Sequence, residues 1–266
     1  MRNLLSLYID RARFEIRLML RDKRTVVFSM LLPIFLLVIF GSVFNKSNLP
    51  GTTVSFAQYI VAGLVASGIL YSSFQQLAIA IPEERFNGTL KRIVGSPMPA
   101  SVYFVGKFAV SLFIYVFQVI FLLGIGHLSY GIAFPSSSML WFDFAWISLL
   151  GLAVSSMLGI AFSSLAKDGK AASAIAAPLV LFFQFTSGVY FVYTNLPKWM
   201  QTVAAVFPLK WLAQAMRGVF LPKAFGLQEA AHSFEFTKAL IVLSLWALGA
   251  AVLCRYTFRW LPKNED

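Results

Sequence analysis

Two neighbouring carboxylates, Glu83 and Glu84, open the most charged stretch of the chain between two long apolar runs. Two carboxyl groups can share acid-base work when both reach the same reacting bond. Adjacent residues on a helix point about 100° apart, so this pair does not converge on one bond. The sequence also lacks a GxxxxGK(S/T) phosphate loop and has one cysteine, Cys254, too few for a disulfide framework or a cysteine metal site. We therefore expect no catalytic residue, no metal site and no cofactor on this chain.

The charged stretch, residues 82–97, has the pattern of a short amphipathic helix at the edge of a membrane. Pro82 suits the first helical turn, and the two glutamates follow at the positive end of the helix dipole. Gly95 ends the segment, and Pro97 and Pro99 follow within four residues. The apolar residues are spaced for one helix face: Phe86, Leu90 and Ile93. Such a face needs a partner, which favours a docking helix, although a solvated loop would explain the charges equally well.

The composition places the whole chain in a membrane. Of 266 residues, 59% are hydrophobic, 16% aromatic and only 12% charged, whereas soluble domains carry about 25% charged residues. The net charge of +11 comes from Lys and Arg residues at the ends of apolar segments, where they orient a protein against anionic lipid. We therefore predict an integral membrane protein with membrane lipids, and not nucleic acid, as its charged partner.

Six apolar runs are long enough to cross about 30 Å of hydrocarbon, and they predict an all-α protein with one transmembrane domain over residues 1–266. The predicted spans are residues 25–44, 54–81, 108–126, 144–165, 171–193 and 236–258. Between the last two, residues 196–221 have the pattern of two short amphipathic helices beginning near Pro197 and Pro208. We expect these helices to dip into the outer leaflet or to lie on it.

Residues 2–24 have the periodicity of a helix that lies in the membrane interface. Its polar stripe includes the basic residues Arg13, Arg17 and Arg21. This stripe is either an anchor on the cytoplasmic side or a contact surface for a cytoplasmic partner. With six spans both termini lie on one side, and 16 of the 22 Lys and Arg residues fall there. The excess predicts cytoplasmic N- and C-termini.

The span cores contain no Asp, Glu, Lys or Arg, which argues against a transporter that couples to an ion through its own side chains. The fourth span has small residues every four positions, namely Gly151, Ser155, Gly159 and Ser163. Such a face lets another helix approach closely. The partner helix belongs either to the same subunit or to a second copy. A docking helix on a body without its own energy source indicates that a partner supplies the energy.

Nearly the whole chain resembles the membrane subunit (permease) of ATP-binding-cassette exporters for drugs, lipids and polysaccharides, including the daunorubicin-resistance type. The segments that carry the resemblance are the basic N-terminal helix, Glu84-Arg85-Phe86-Asn87-Gly88-Thr89-Leu90 with Pro97 after it, Ser187-Gly188-Val189-Tyr190, and Phe207-Pro208-Leu209 with Ala215-Met216-Arg217-Gly218. In that family the segment after the second span is a coupling helix that sits in a groove of the ATPase subunit. The resemblance therefore implies that residues 82–97 are such a coupling segment.

Carried over by resemblance, the residues expected to contact the ATPase are Glu83, Glu84, Arg85, Phe86, Gly88, Thr89, Leu90, Lys91 and Arg92. The resemblance also implies two ATPase subunits, which bind ATP and Mg²⁺, and a second permease in a homodimer or related heterodimer in the plasma (inner) membrane. A substrate path would run between the permeases, lined by spans one, two and five. Its candidate residues are Gln75, Gln184, Phe182, Phe185 and Tyr190. The expected cargo is a hydrophobic drug, a lipid or a glycolipid or polysaccharide; a channel or ion-extruding permease is the alternative.

Overall fold

A computed structural model describes residues 4–21, 23–44 and 48–261, with residues 23–30 as backbone only. The described part is all helical and contains no strand. The α-helices are α1 (Leu4–Arg21), α2 (Lys23–Phe44), α3 (Phe56–Phe86), α4 (Thr89–Val94), α5 (Ala100–Tyr130), α6 (Ser138–Phe162), α7 (Gly169–Thr186), α8 (Lys198–Val206), α9 (Pro208–Phe220) and α10 (Phe236–Thr257). Single 3-10 turns cover Tyr193–Asn195 and Lys223–Gln228. The all-α prediction is thus confirmed for the described residues.

Five helices are long and apolar enough to cross a membrane: α3, α5, α6, α7 and α10. In α2 the apolar part within the described residues is the shorter segment Leu31–Phe44. The protein is therefore a multi-pass membrane protein, while a sixth span through α2 stays a prediction. The predicted interface helix corresponds to α1. Residues 2, 3 and 22 of that prediction lie outside the described part of the chain.

The long helices α2, α3, α5, α6, α7 and α10 alternate in direction and give the molecule two ends. At one end, which we call the terminal end, α1 meets the start of α5, with the Tyr8 and Ser101 hydroxyls 2.8 Å apart. The α3–α4 turn, the α6–α7 turn and the segment after α10 lie at the same end. At the opposite, distal end the amide Nε2 of Gln58 donates to the carbonyl oxygen of Phe220 at 2.9 Å. Segments before α3 and between α7 and α10 therefore cover the distal end.

Helix α3 forms the centre of the core, because its residues from Tyr59 to Leu70 are all buried. Glycines allow its neighbours to approach closely. A Cβ at Gly63 would lie 2.5 Å from the carbonyl oxygen of Val189, a distance that only glycine permits. Further along, Leu70–Gln75 widens into a π-helical turn, a feature that often marks functional positions in helices.

The small-residue face of α6 packs inside this chain. A Cβ at Gly159 would lie 2.6 Å from the carbonyl oxygen of Phe74 in the π-helical turn, and one at Gly151 would lie 2.7 Å from Leu212 of α9. Ser155 is buried on the same face. Ser163 lies just beyond the helix as its C-cap residue. Of the two partners that the sequence allowed for this face, the structure has the helix of the same subunit.

The predicted single docking helix that begins at Pro82 is wrong. Helix α3 continues through Pro82 to Phe86, the chain turns at Gly88 with φ 71°, and α4 begins at Thr89. A proline inside a helix costs about 3 kcal/mol. The three residues that follow Pro82 each bond to a different neighbouring element, as described below, and these contacts favour continuing the helix. Gly88 then supplies the left-handed conformation that ends it.

Three helices differ in length from the spans predicted for them, whose membrane bounds stay predictions. Where a span was expected over residues 144–165, α6 covers Ser138–Phe162. The third was expected to begin after Lys107, but α5 begins at Ala100 because the charge of Lys107 is paired inside the protein. The fifth was expected to reach residue 193, but α7 ends at Thr186. Gly188, with φ 74°, turns the chain so that its carbonyl oxygen accepts hydrogen bonds from two side chains at the distal end.

The two short helices expected within residues 196–221 are present. Pro197 precedes the first residue of α8, and Pro208 is the first residue of α9. Every residue of α9 is buried, because it packs against α3, α6 and α10. Helix α9 is therefore part of the core of the distal half, and the membrane depth of both helices stays a prediction.

Candidate functional site

The last turns of α3 place three successive charged side chains against three different parts of the molecule. Glu83 Oε2 accepts a hydrogen bond from the backbone N–H of Gly169, at 3.1 Å. Gly169 is the first residue of α7, so the carboxylate lies at the positive end of that helix dipole. Glu83 Oε1 accepts from the side-chain amide of Asn87 at 2.9 Å. Glu83 therefore connects the end of α3 to the start of α7.

Glu84 takes part in a buried chain of alternating charges. It accepts a hydrogen bond from the Tyr103 hydroxyl at 2.8 Å and forms an ion pair with Lys107. The Lys107 ammonium also lies 2.9 Å from Glu15 Oε2, and Glu15 pairs with Arg11. We call these five residues, Arg11, Glu15, Glu84, Tyr103 and Lys107, the terminal cluster. It joins α1, α3 and α5 through side chains whose charges balance.

The terminal cluster is almost closed to solvent, since only 4% of the Glu15 surface and 3% of the Lys107 surface are exposed. Helix α1 crosses α5 closely, and a Cβ at Gly106 would lie 2.9 Å from Cγ of Arg11. Sequence reasoning did not single out Glu15. Its spacing of four residues from Arg11 was the available signal, but the partner Lys107 lies 92 residues further along the chain.

Arg85, the third residue, is directed into the protein. Its Nη1 donates to the carbonyl oxygen of Ser163 at 3.0 Å, and its Nε donates to the carbonyl oxygen of Arg259 at 3.1 Å. Only 7% of Arg85 is exposed, and Leu90 is fully buried. Assigning Arg85 and Leu90 to a partner contact is therefore wrong, because their side chains are used within the chain. Glu84, whose side chain is 19% exposed, is also mainly internal.

The rest of the predicted contact segment is at the surface, and we call it the α4 face. It consists of the exposed residues Phe86, Thr89, Lys91, Arg92 and Val94; Glu83 and Asn87 beside it are exposed as well. Phe86 is 67% exposed, so it does not share an apolar face with Leu90 as the spacing predicted. Gly88 lies in the turn beside them. The three arginines expected on the N-terminal helix, Arg13, Arg17 and Arg21, are also exposed.

A cavity of about 670 Å³ opens beside the terminal cluster. Its walls come from α1, α2, α3, α5 and α7, and they combine apolar side chains with a few polar ones. Wall residues away from the charges include Leu32, Tyr71, Gln75, Gln76, Ile79, Val110 and Ser173. The side-chain oxygens of Gln75 and Gln76 are buried without a hydrogen-bond partner. The cavity therefore offers apolar surface and a charged rim formed by Glu15, Glu83, Glu84 and Lys107.

The five predicted path residues do not form one surface. Gln75 lines the cavity, and Gln184 is buried behind it, where its Oε1 accepts from the Tyr71 and Tyr190 hydroxyls at 3.2 and 2.5 Å. Phe182 and Phe185 lie on the exposed side of α7. Tyr71, which sequence reasoning missed, both lines the cavity and ties the π-helical turn to α7.

The distal end contains a second buried ion pair. Arg217, fully buried in α9, makes a two-point contact with Glu229: Nε to Oε1 at 2.5 Å and Nη2 to Oε2 at 3.1 Å. Its Nη1 donates to the Gly188 carbonyl oxygen at 3.1 Å, which also accepts from the Tyr59 hydroxyl at 2.8 Å. Burial alone lowers the pKa of Arg217, but the adjacent Glu229 carboxylate raises that pKa, so the guanidinium stays charged. Burial also raises the pKa of nearby Tyr193 to about 12.

Comparison with known proteins extends the interpretation. Residues 12–221 match the family described as ABC-2 type transporter. The chain is 26% identical over 170 residues to the probable multidrug ABC transporter permease YbhR of Escherichia coli K12, a match that covers 62% of this chain and 44% of that protein. It is 25% identical over 198 residues to the putative transport permease YvfS of Bacillus subtilis 168, covering 73% of this chain and 77% of the relative. The chain thus matches less than half the length of YbhR.

Within the described part of the chain, no group of three or more His, Cys, Asp or Glu side chains is arranged to hold a metal ion. The charged side chains of the terminal cluster instead pair with one another. Their arrangement can hold helices together and transmit displacement, and the cavity beside them can admit a molecule of moderate size.

Proposed function

The chain belongs to the ABC-2 type transporter family, and from that premise we propose that it is the membrane subunit of an exporter driven by separate ATP-binding-cassette ATPases. In this proposal the ATPases bind ATP and Mg²⁺ and carry out hydrolysis. The coupling role is supported by the contacts at the end of α3. There an exposed α4 face follows directly after three charged residues that are bonded to α5, α7, the α6–α7 turn and the segment after α10.

These contacts make residues 83–85, just before α4, a rigid junction. A force on the α4 face reaches Glu83, Glu84 and Arg85 within a few residues, and each of them is bonded to a different element. Packed interiors transmit strain because they are dense and have low compressibility. ATP-driven closure of two ATPases against two permeases would therefore rock α1, α5 and α7 together.

The orientation of the chain in the membrane and its assembly with other subunits are part of the same proposal. The terminal end lies in the cytoplasm, where the excess of Lys and Arg belongs, and the membrane is the plasma (inner) membrane. A second permease, identical or related, completes the machine with two ATPases. The exposed arginines of α1 are then available to anionic lipid headgroups or to the ATPase.

We place the cargo in the cavity beside the terminal cluster. Apolar walls beside a charged rim suit a largely hydrophobic molecule that carries a few polar groups. A drug, a lipid or a glycolipid meets that description. The word multidrug in the name of YbhR supports the first of these.

Charge reversal on the α4 face tests the coupling proposal. The tagged chain is purified in mild detergent from its native membrane, and the ATPase that co-elutes is identified and assayed. Lys91→Glu with Arg92→Glu is expected to weaken that association by about 10-fold, because two like-charge contacts replace favourable ones at a cost of about 1.4 kcal/mol. Lys167→Glu with Lys170→Glu, in the other exposed terminal turn, is the matched control and should change co-elution little.

Equal co-elution of both double variants would count against the α4 face as the contact. A chain that elutes alone and still moves solute across liposomes without ATP would overturn the exporter proposal. The channel or ion-extruding alternative would then replace it.

Filling the cavity tests the substrate site. Ile79→Trp puts a bulky ring into the cavity wall, and we expect cargo-stimulated ATP hydrolysis to fall several-fold while basal hydrolysis and ATPase association are retained. Ile175→Trp, at an exposed position on α7, is the control. The assay is a titration of hydrolysis with a panel of hydrophobic dyes and lipids, and an unchanged response of Ile79→Trp would exclude this cavity from the path.

A further inference from the structure

The segment that follows α10 returns to the terminal cluster. The helix ends at Thr257, and the Arg259 carbonyl oxygen then accepts the hydrogen bond from Nε of Arg85 at 3.1 Å. Arg85 also donates to the Ser163 carbonyl oxygen in the α6–α7 turn. One buried guanidinium thus joins the end of α3, the α6–α7 turn and the C-terminal segment.

Two aromatic side chains of this segment pack on the start of α5. The Trp260 ring centroid lies 5.6 Å from Tyr103 and 5.8 Å from Phe104. The Phe258 ring lies 5.1 Å from Phe104 and 4.9 Å from Trp260. Edge-to-face and tilted ring pairs of this kind add stability beyond that of their buried area. The four rings therefore form a defined contact and not a loose end.

Tyr103 belongs to both groups of contacts. Its hydroxyl donates to Glu84, and the ammonium of Lys107 lies 5.3 Å from the centroid of its ring. Trp260 packs against that same ring. Only the Tyr103 side chain therefore lies between Trp260 and the Glu84–Lys107 ion pair.

Helix α4 rests on the same apolar cluster. Leu90 is its buried residue and packs with Leu77, Ile81 and Tyr103, and Phe258 and Trp260 cover this cluster from the C-terminal side. A helix of six residues is too short to be stable alone in water. Its position must come from these tertiary contacts.

We propose that residues 258–260 form a clamp that fixes α4 and the terminal cluster against α10. Movement of the α4 face is then transmitted to the last helix as well as to α1, α5 and α7. The transport part of this proposal rests on the proposed function. The mechanical part concerns this chain alone and can be measured without a partner.

The coupling test compares Trp260→Ala and a chain ended after Thr257 with the unchanged protein, each assembled with its ATPase. We expect association and basal ATP hydrolysis to persist while cargo moved per ATP hydrolysed falls several-fold. Trp260→Phe should restore most of that ratio because it keeps a ring against Tyr103. Trp199→Ala, at an exposed position in α8, is the matched control. An unchanged ratio in both Trp260→Ala and the shortened chain would overturn the clamp, and so would an unchanged ratio accompanied by a lowered melting temperature, which would make residues 258–260 purely stabilising.

The partner-free test is limited trypsin cleavage of the purified chain after Lys91 and Arg92. If the clamp holds α4, Trp260→Ala speeds this cleavage several-fold, whereas Trp260→Phe and Trp199→Ala leave it near the original rate. Equal cleavage rates in all four proteins would overturn the mechanical part. Faster cleavage in a chain that binds no ATPase would preserve the clamp and contradict the exporter proposal, so the two failures are distinguishable.

Discussion

Arg217→Met is expected to cost about 3–5 kcal/mol of folding free energy, because it leaves the buried Glu229 carboxylate without its partner. Total folding free energies are about 5–15 kcal/mol, so little folded protein should reach the membrane. The Gly188 carbonyl oxygen keeps its hydrogen bond from Tyr59, and the loss therefore arises mainly from the carboxylate. The measurement is the amount of monodisperse protein after extraction, with its melting temperature.

A double variant separates lost charge pairing from lost volume. Arg217→Met with Glu229→Leu removes both charges, and replacing a buried pair with apolar residues is often neutral. We expect most of the folded protein to return. Lys238→Met removes a largely exposed cation that pairs with Glu235, and should cost less than about 1 kcal/mol. Normal yield and melting temperature in Arg217→Met alone would contradict this account.

The long elements could be predicted from the sequence because they depend on local signals. Uncharged runs gave the helices α3, α5, α6, α7 and α10, and Pro197 and Pro208 marked where the two short helices begin. These signals act over a few residues and need no knowledge of the partner. Packing between helices needs that knowledge, and the small-residue face of α6 therefore left two partners open.

The candidate site could not be predicted from local sequence patterns, because its contacts join residues that are far apart in the chain. Pro82 looked like a helix start because the cost of a proline inside a helix can be read from the local sequence. The bonds of Glu83, Glu84 and Arg85, which favour continuing the helix, join elements far away in the chain and cannot be read from it. Lys107 looked like the end of a span because its partners Glu15 and Glu84 come from other helices. An isolated charge ends a span, and a paired charge does not.

The predicted contact residues divide into those whose side chains face the protein and those whose side chains face outward. The motif that resembles exporter permeases predicts a contact segment, but it mixes side chains that face the protein with side chains that face outward. Arg85 and Leu90 position the segment from inside, and Lys91 and Arg92 present charge outside. Only the positions of the neighbouring helices separate the two roles.

Lys107→Met is expected to abolish coupled transport, because it leaves Glu15 and Glu84 buried together with Arg11 as the remaining cation of the terminal cluster. Removing one partner from a buried ion pair costs about 3–5 kcal/mol, and here one cation serves two carboxylates from α1 and α3. The junction at residues 83–85, just before α4, should loosen before the whole protein unfolds. Cargo-stimulated ATP hydrolysis in the assembled complex measures this loss, and yield and melting temperature measure the fold.

Removing the unpaired charge should restore function. Lys107→Met with Glu84→Gln leaves Arg11 and Glu15 as a balanced pair, and the amide oxygen introduced at position 84 can still accept from the Tyr103 hydroxyl. We expect the double variant to recover a substantial part of the stimulated hydrolysis, whereas Lys170→Met, at an exposed lysine near the start of α7, should behave like the unchanged protein. Full activity in Lys107→Met would mean that the terminal cluster carries no coupling. A double variant no better than the single one would assign the effect to the lysine itself and not to the charge balance around it.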